Sequence, residues 1–269
     1  MPSKRMNSPK KHTLSLIVLF CLIFTPLHGH AMTALEILEQ VAKKNFSEDF
    51  RMILSVKTMK GKKQISDHSL WMMGKMKPDM TILFIDFEEP PDTKGLRFLI
   101  EVPKGEEPRA YMYLPATSNV LPLAADDPSV DLGGTGLTME DMQGFVPERS
   151  ERLTLLPDQK SQDRDCFVIK VSRAEEKAHR LLWVSKKDFI VFKSQSIDAQ
   201  GKITRVFQVT EFFETKEGKQ FPREEEIVIP GKDIRIVVRQ EHASFGIDFP
   251  NELLSKETFG TFQWREGKN

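Results

Sequence analysis

The chain has 269 residues, 39% of them hydrophobic and 29% charged, and its 39 Lys and Arg balance 39 Asp and Glu to a formal net charge of +0. So even a mixture excludes the basic face that nucleic-acid binding demands, and no nucleic-acid partner is expected. Two cysteines in such a length exclude a disulfide-stapled scaffold and leave stability to a hydrophobic core.

Residues 1–31 fall into three parts: a start carrying Lys4, Arg5, Lys10 and Lys11, an uncharged apolar run over 14–27, and the small-residue exit Gly29-His30-Ala31. This is the layout of a cleavable secretory signal. The run is shorter than the ~20 residues of a membrane-spanning helix, and Pro26 and Gly29 break its end. Cleavage after Ala31 is expected, leaving residues 32–269 as a single domain. Cys21 lies inside the run behind bulky Phe20, so no lipid is expected on the new N-terminus. The leader holds four cations and no anion, which leaves the mature chain at a formal −4. Cys166, alone after cleavage, is expected to be a small buried apolar residue of a strand.

The first element predicted is a helix. Thr33-Ala-Leu-Glu36 reads as a capping box, and Leu35, Leu38, Val41 and Ala42 recur at helical spacing as far as about Asn45. From Phe50 the period becomes two. Strands are predicted over residues 51–58, 66–73, 80–87, 96–102 and 109–114, separated by turns at 60–62, 74–78, 89–92 and 103–105. The second half repeats the pattern over 166–172, 180–185, 190–198, 202–214, 220–229 and 234–242, with corners at 198–201, 216–218 and 230–233. Residues 115–157 read instead as a functional loop rich in Gly, Pro and Asp, carrying a helical fragment over 138–142 capped by Thr138. The sum is one meandering antiparallel sheet of about eleven strands that curls round its helix into an unclosed barrel and encloses a cavity.

No constellation asks for catalysis. His68, His179 and His242 fall on separate segments without metal-ligand spacing and are expected at surfaces or strand ends, and no metal is expected. Gly133-Gly134-Thr135-Gly136 lacks the lysine and long helix of a phosphate loop and reads as a hinge or turn. Asp126, Asp127 and Asp131 lack the alternate spacing of a calcium loop. Glu224-Glu225-Glu226 is expected to mark an exposed or edge strand protected from pairing. Neither an enzymatic reaction nor a cofactor is expected.

The methionines Met52, Met59, Met72, Met73, Met76, Met80, Met112, Met139 and Met142 crowd the first half, and unbranched thioethers suit a cavity for flexible apolar ligands. By period two, Trp71, Met73, Tyr111 and Tyr113 share the faces opposite to Leu70, Met72, Met112 and Leu114, and either set is able to face inward. Trp71, Met73, Met80, Tyr111 and Tyr113 are the ligand-binding candidates carried forward. Leu35, Leu38, Gly134, Gly136, Met139 and Met142 are the lid and hinge candidates.

Three segments together carry a family likeness: Tyr111-Met-Tyr-Leu-Pro-Ala116, Gly134-Thr-Gly-Leu-Thr-Met-Glu-Asp-Met142, and Trp183-Val-Ser-Lys-Lys-Asp-Phe-Ile-Val-Phe192 leading into the corner at 198–201. Through them most of the mature chain resembles the LolA-like superfamily of outer-membrane lipoprotein-sorting proteins. The likeness is greatest to its branch of uncharacterised periplasmic carriers associated with export pumps of the resistance-nodulation-division type. The resemblance implies a mostly β fold, an unclosed antiparallel barrel covered by helices. It further implies a soluble periplasmic carrier that holds lipoprotein acyl chains or lipids for transport toward the outer membrane. Its implied partners are that cargo, an inner-membrane resistance-nodulation-division-type transporter, and a membrane surface in transient contact. Two rivals remain open on the residues alone: an acyl-binding envelope sensor, and an enzyme acting on envelope lipids.

Overall fold

The computed structural model describes residues 32–45, 48–103, 106–124, 130–142, 151–173, 176–214, 218, 220–249 and 254–261. The expected leader at 1–31, with Asp126 and Asp127, lies outside them.

Helix α1 (Ala34–Asn45) begins where the capping box places it. The Thr33 amide donates to Glu36 Oε2 at 2.7 Å and the Glu36 amide donates back to Thr33 Oγ1 at 3.2 Å, so two free amides of the first turn are satisfied. Among the described residues thirteen strands follow: β1 (Phe50–Lys60), β2 (Lys63–Met76), β3 (Met80–Glu89), β4 (Arg97–Pro103), β5 (Arg109–Leu114), β6 (Asn119–Leu123), β7 (Glu151–Ser161), β8 (Arg164–Arg173), β9 (His179–Ser185), β10 (Val191–Ile197), β11 (Ile203–Glu214), β12 (Gln220–Ile229) and β13 (Ile234–Phe245). One short helix, α2 (Met139–Met142), stands between β6 and β7.

All thirteen strands form one antiparallel sheet in the order β6-β5-β4-β3-β2-β1-β13-β12-β11-β10-β9-β8-β7. It is two meanders zipped together by β1 against β13, and it stays open because the end strands β6 and β7 are not paired with each other. Bulges at Ile53/Leu54 in the β1–β13 ladder and at Thr58/Met59 in the β1–β2 ladder add bend to the natural twist of the central strands.

The predicted count of about eleven strands is short by two. Of the missing strands, β6 lies within residues 115–157, read from sequence as loop, and β7 begins there and runs on to Ser161. β6 contains Pro122, and β7 contains Pro157 beside a register shift at Leu156/Gln159. Proline lacks the amide a ladder needs and is confined to edges and bulges, which are the places these two strands occupy. Helix is also scarcer than expected: α1 has 12 residues and α2 four.

Strand alternation gives the sheet two distinct faces. On one, Leu54, Leu70, Leu83, Ile85, Phe98, Ile227, Ile236 and Val238 join a core that takes in Leu132, Leu137 and Met139 of the middle segment. On the same face of the other wing, Ala34, Ile37, Leu38 and Val41 of α1 pack on Ile169, Val171, Leu182, Val184 and Val191. The opposite face of the first wing carries Met73, Ile82, Phe84 and Leu99, covered by Phe249, Leu254 and Phe259 from the C-terminal segment. Arg97 clamps that cover, donating to the Phe259 and Gly260 carbonyls at 3.1 and 2.9 Å while pairing with Asp86 at 3.0 Å.

Cys166 is fully buried in a fourth cluster with Val168, Trp183 and Phe192, and burial pushes its thiol up. Among the described residues no helix is long and apolar enough to cross a membrane.

Candidate functional site

Beneath the middle segment the face of the sheet it covers is incompletely filled. A cavity of about 220 Å³ remains there. Its apolar walls are Phe50, Met52 and Leu54 of β1, Met72 of β2, Leu83 of β3, Phe207 of β11, Phe221 and Ile227 of β12, and Val238 of β13, closed by Leu137 and Met142 of the middle segment. Asp141, Arg180, Ser194, Ser196, Arg205, Arg223, Glu225 and Gln240 form its polar arc.

Each wall residue reaches the hollow because register and alternation agree. Met52 is opposite Met72, Leu54 is opposite both Leu70 and Gln240, and Phe207 is opposite Ile227, so one face of five neighbouring strands delivers them together. Phe50 lies over Gly74, where an added Cβ would come within 2.2 Å of its ring. Only a bare backbone admits the ring there.

The middle segment is held by buried polar contacts. Thr138 caps α2 as expected, with its amide and hydroxyl both donating to Asp141 Oδ2, at 2.7 and 3.0 Å. Asp141 in turn takes a two-pronged pair from Arg205, Nε to Oδ1 at 3.0 Å and Nη2 to Oδ2 at 2.5 Å, and Arg205 also donates to the Gly136 carbonyl at 3.2 Å. Burial pushes the Asp141 carboxyl up, and the Arg205 charge and the Thr138 hydrogen bonds pull against it. Thr58 donates from β1 to the Thr135 carbonyl at 2.6 Å. Gly136 runs at φ +76° with its Cα so close to Ile236 that a Cβ would lie 3.0 Å from the Ile236 side chain.

Glu225 projects into the same hollow. Desolvation raises its carboxyl to about 7, with a further push from the charge of Asp141. The acidic triplet therefore corrects the expectation of an exposed or edge strand. β12 is an interior strand, paired with β11 and β13. Alternation turns Glu224 and Glu226 outward to Arg239 at 2.8 Å and Arg235 at 2.5 Å, and turns Glu225 in. His68 is likewise not at a surface: it is 4% exposed, with its ring edge-on to Phe87 at 5.7 Å, and burial lowers its affinity for a proton.

None of the five ligand-binding candidates lines this cavity. Trp71, Met73, Met80, Tyr111 and Tyr113 gather on the opposite face, under Phe249, Leu254 and Phe259. The residues one position along, Met72 with Met52, are the ones that reach the hollow. Of the lid and hinge candidates, Met142 lines the cavity and Met139 is fully buried beside it. On α1, Leu38 is buried against the sheet, whereas Leu35 is 51% exposed. Gly134, at φ +80°, has open space where a Cβ would stand. Glu225, Arg205 and Asp141 escaped the sequence reading. Thr138-x-x-Asp141 was the available signal for the last, and the alternation of β12 for the first.

A family model described as "Uncharacterized protein" matches residues 80–261, more than half of the chain. No curated protein matches the chain. Among solved structures, a domain assigned to outer membrane lipoprotein sorting from Vibrio parahaemolyticus is similar at a TM-score of 0.75 and 17% identity, over 84% of this chain and 98% of that one. A DUF1329 family protein from Desulfovibrio piger gives 0.74 and 15%, over 82% and 95%. A LolA superfamily protein from Nitrosomonas europaea gives 0.63 and 16%, over 84% and 99%. At these identities what is shared is the fold, one large open antiparallel sheet.

Proposed function

The chain belongs to the family whose model spans residues 80–261, and on that membership and the LolA-like fold we propose that it is an exported carrier of acyl chains. It takes up a lipid or the lipid anchor of a lipoprotein at one membrane of the periplasm and gives it up toward the outer one. The observation that carries this reading is the hollow beneath the middle segment, walled by Phe50, Met52, Met72, Phe207 and Phe221. Each methylene buried there contributes ~0.8 kcal/mol, so a single chain gives useful affinity without a strong polar contact. Binding of this kind needs no covalent step, and the protein is proposed as a carrier, not an enzyme.

At about 220 Å³ the hollow is smaller than pockets for drug-sized ligands, which run roughly 300–1,000 Å³. Cargo entry therefore requires the middle segment to withdraw Leu137 and Met142, pivoting at Gly134, where no side chain crowds the backbone. The leader at residues 1–31 is part of the proposal, since a shuttle between two membranes must leave the cytoplasm. An inner-membrane transporter that loads it belongs to the same proposal.

The test is to purify the protein from a periplasmic fraction, extract it with organic solvent and identify what is released by mass spectrometry. Acyl lipid released in near-stoichiometric amount is the expected result. Recovery from the cytoplasm, release of no lipid, or turnover products from added phospholipid would each overturn the reading.

A further inference from the structure

The polar arc of the hollow is not uniform. Arg205 is answered by Asp141 on two prongs, Arg223 approaches Glu211 at 3.5 Å, and Arg180 faces Glu151 at 3.9 Å. Ser194, Ser196 and Gln240 are neutral. Glu225 differs from all of these. Among the described residues no hydrogen bond or ion pair reaches its carboxylate, and the one charge that acts on it is Asp141, of its own sign. Its cross-strand partners are Val238 and Val209. Glu225 is half-buried in the wall of the hollow, where a carboxylate is costly unless a donor or a cation meets it, and among the described residues neither does.

We propose that Glu225 is the head-group recognition residue of the hollow, and that the amphiphile it selects carries an ammonium group at the end of its apolar chain. The chain lies against Phe50, Met52, Met72 and Phe207, and the ammonium N–H groups donate to the Glu225 carboxylate, with the Ser194 and Ser196 hydroxyls on the same wall. An anionic head fits poorly, because Asp141 and Glu225 repel it and the Asp141 pair already holds Arg205. The proposal rests on the carrier reading and names the chemistry of its cargo. Its pH dependence follows from the groups facing Glu225: Asp141 of α2, Arg180 of β9, Arg205 of β11 and Arg223 of β12, with only neutral side chains from β1, β10 and β13. Since Glu225 titrates at about 7, the ammonium preference is full above that pH and fades below it.

The experiment titrates the purified chain calorimetrically at pH 8 with decylammonium, decan-1-ol and decanoate, each below its micellar concentration. Decylammonium is expected to bind about ten-fold tighter than decan-1-ol, as a charge-assisted hydrogen bond adds to the same chain burial, and decanoate to bind weakest. Glu225→Gln and Glu225→Leu should erase that lead, and the lead should shrink in the wild type at pH 6. Both variants lose a buried charge, so retained or raised thermal midpoints certify that they fold. A lead that survives in Glu225→Gln, or equal binding of amine and alcohol by the wild type, overturns the proposal but not the carrier reading. Failure of all three ligands to bind overturns both. An aminophospholipid and a simple long-chain amine share this chemistry. A lead of lyso-phosphatidylethanolamine over lyso-phosphatidylglycerol assigns the ammonium to a phospholipid, and a lead confined to decylammonium assigns it to the simple amine.

Discussion

Glu225 ties stability to pH in an unusual direction. Its carboxyl titrates at 4.5 when the chain is unfolded and at about 7 when folded, so the folded state holds a proton that the unfolded state has lost. Its contribution is fully present below pH 4.5 and declines as pH rises to about 7, by an amount on the order of 3 kcal/mol. Urea unfolding of the empty protein at pH 5 and pH 8 should show that decline, and Glu225→Gln should flatten it and be the more stable form at pH 8. A second residue, Gly74, is the seat of Phe50. Gly74→Ala forces the ring away from a Cβ that would lie 2.2 Å off, costing about 1–3 kcal/mol by overpacking and altering the wall of the hollow. Thermal unfolding together with decan-1-ol affinity reads both effects. The acidic triplet shows what was hidden at this scale. Three glutamates in a row announce an exposed strand, and only knowledge that β12 is interior makes the middle one a cavity group.

At the scale of elements, α1 was legible because its signals are local: a reciprocal cap and a stripe at helical spacing, both within a dozen residues. That stripe, however, is Ala34, Ile37, Leu38 and Val41, and it leaves Leu35 outside. Leu38→Ala should therefore cost about 2–5 kcal/mol, Thr33→Ala about 1, and Leu35→Ala less than ~0.5, as read by chemical denaturation. The middle segment depends on one ion pair instead. Arg205→Met strands the Asp141 carboxylate in a buried site, at a cost of about 3–5 kcal/mol falling on residues 131–142. Hydrogen exchange should accelerate there while α1 is unchanged. The edge strands were illegible for a different reason. β6 and β7 carry Pro122 and Pro157 and much exposed surface, so neither period two nor apolarity marks them, and only their neighbours in the sheet make them strands.

For the whole molecule, the single antiparallel sheet and its failure to close could be read from turn chemistry and alternation, but the covered face could not. Period two separates Trp71 and Met73 from Leu70 and Met72 with certainty, yet it is silent on which set faces the hollow, because both sets are apolar and both faces of the first wing are covered. The deciding partners, Phe249, Leu254 and Phe259, are far away in sequence. Truncation before Ile247 should bare Met73, Phe84 and Leu99, and the shortened chain is expected to bind a hydrophobic dye and to elute as aggregates in size exclusion, where the full chain does neither.

The pairing of β1 with β13 also sets the order in which the molecule can be made. These strands lie at opposite ends of the domain, with Lys60 opposite Ile234, and they join two meanders whose other pairings are all between sequence neighbours. As the chain emerges from its N-terminus, the first meander has its local partners at once, but β1 presents a bare row of amides and carbonyls until β13 arrives. Closure of so long a loop makes folding slow, in the range of milliseconds to seconds, and leaves an adhesive edge exposed throughout. The emerging chain is thus most vulnerable to strand-on-strand aggregation just before β13 joins, and a holding factor that shields β1 would act in that interval.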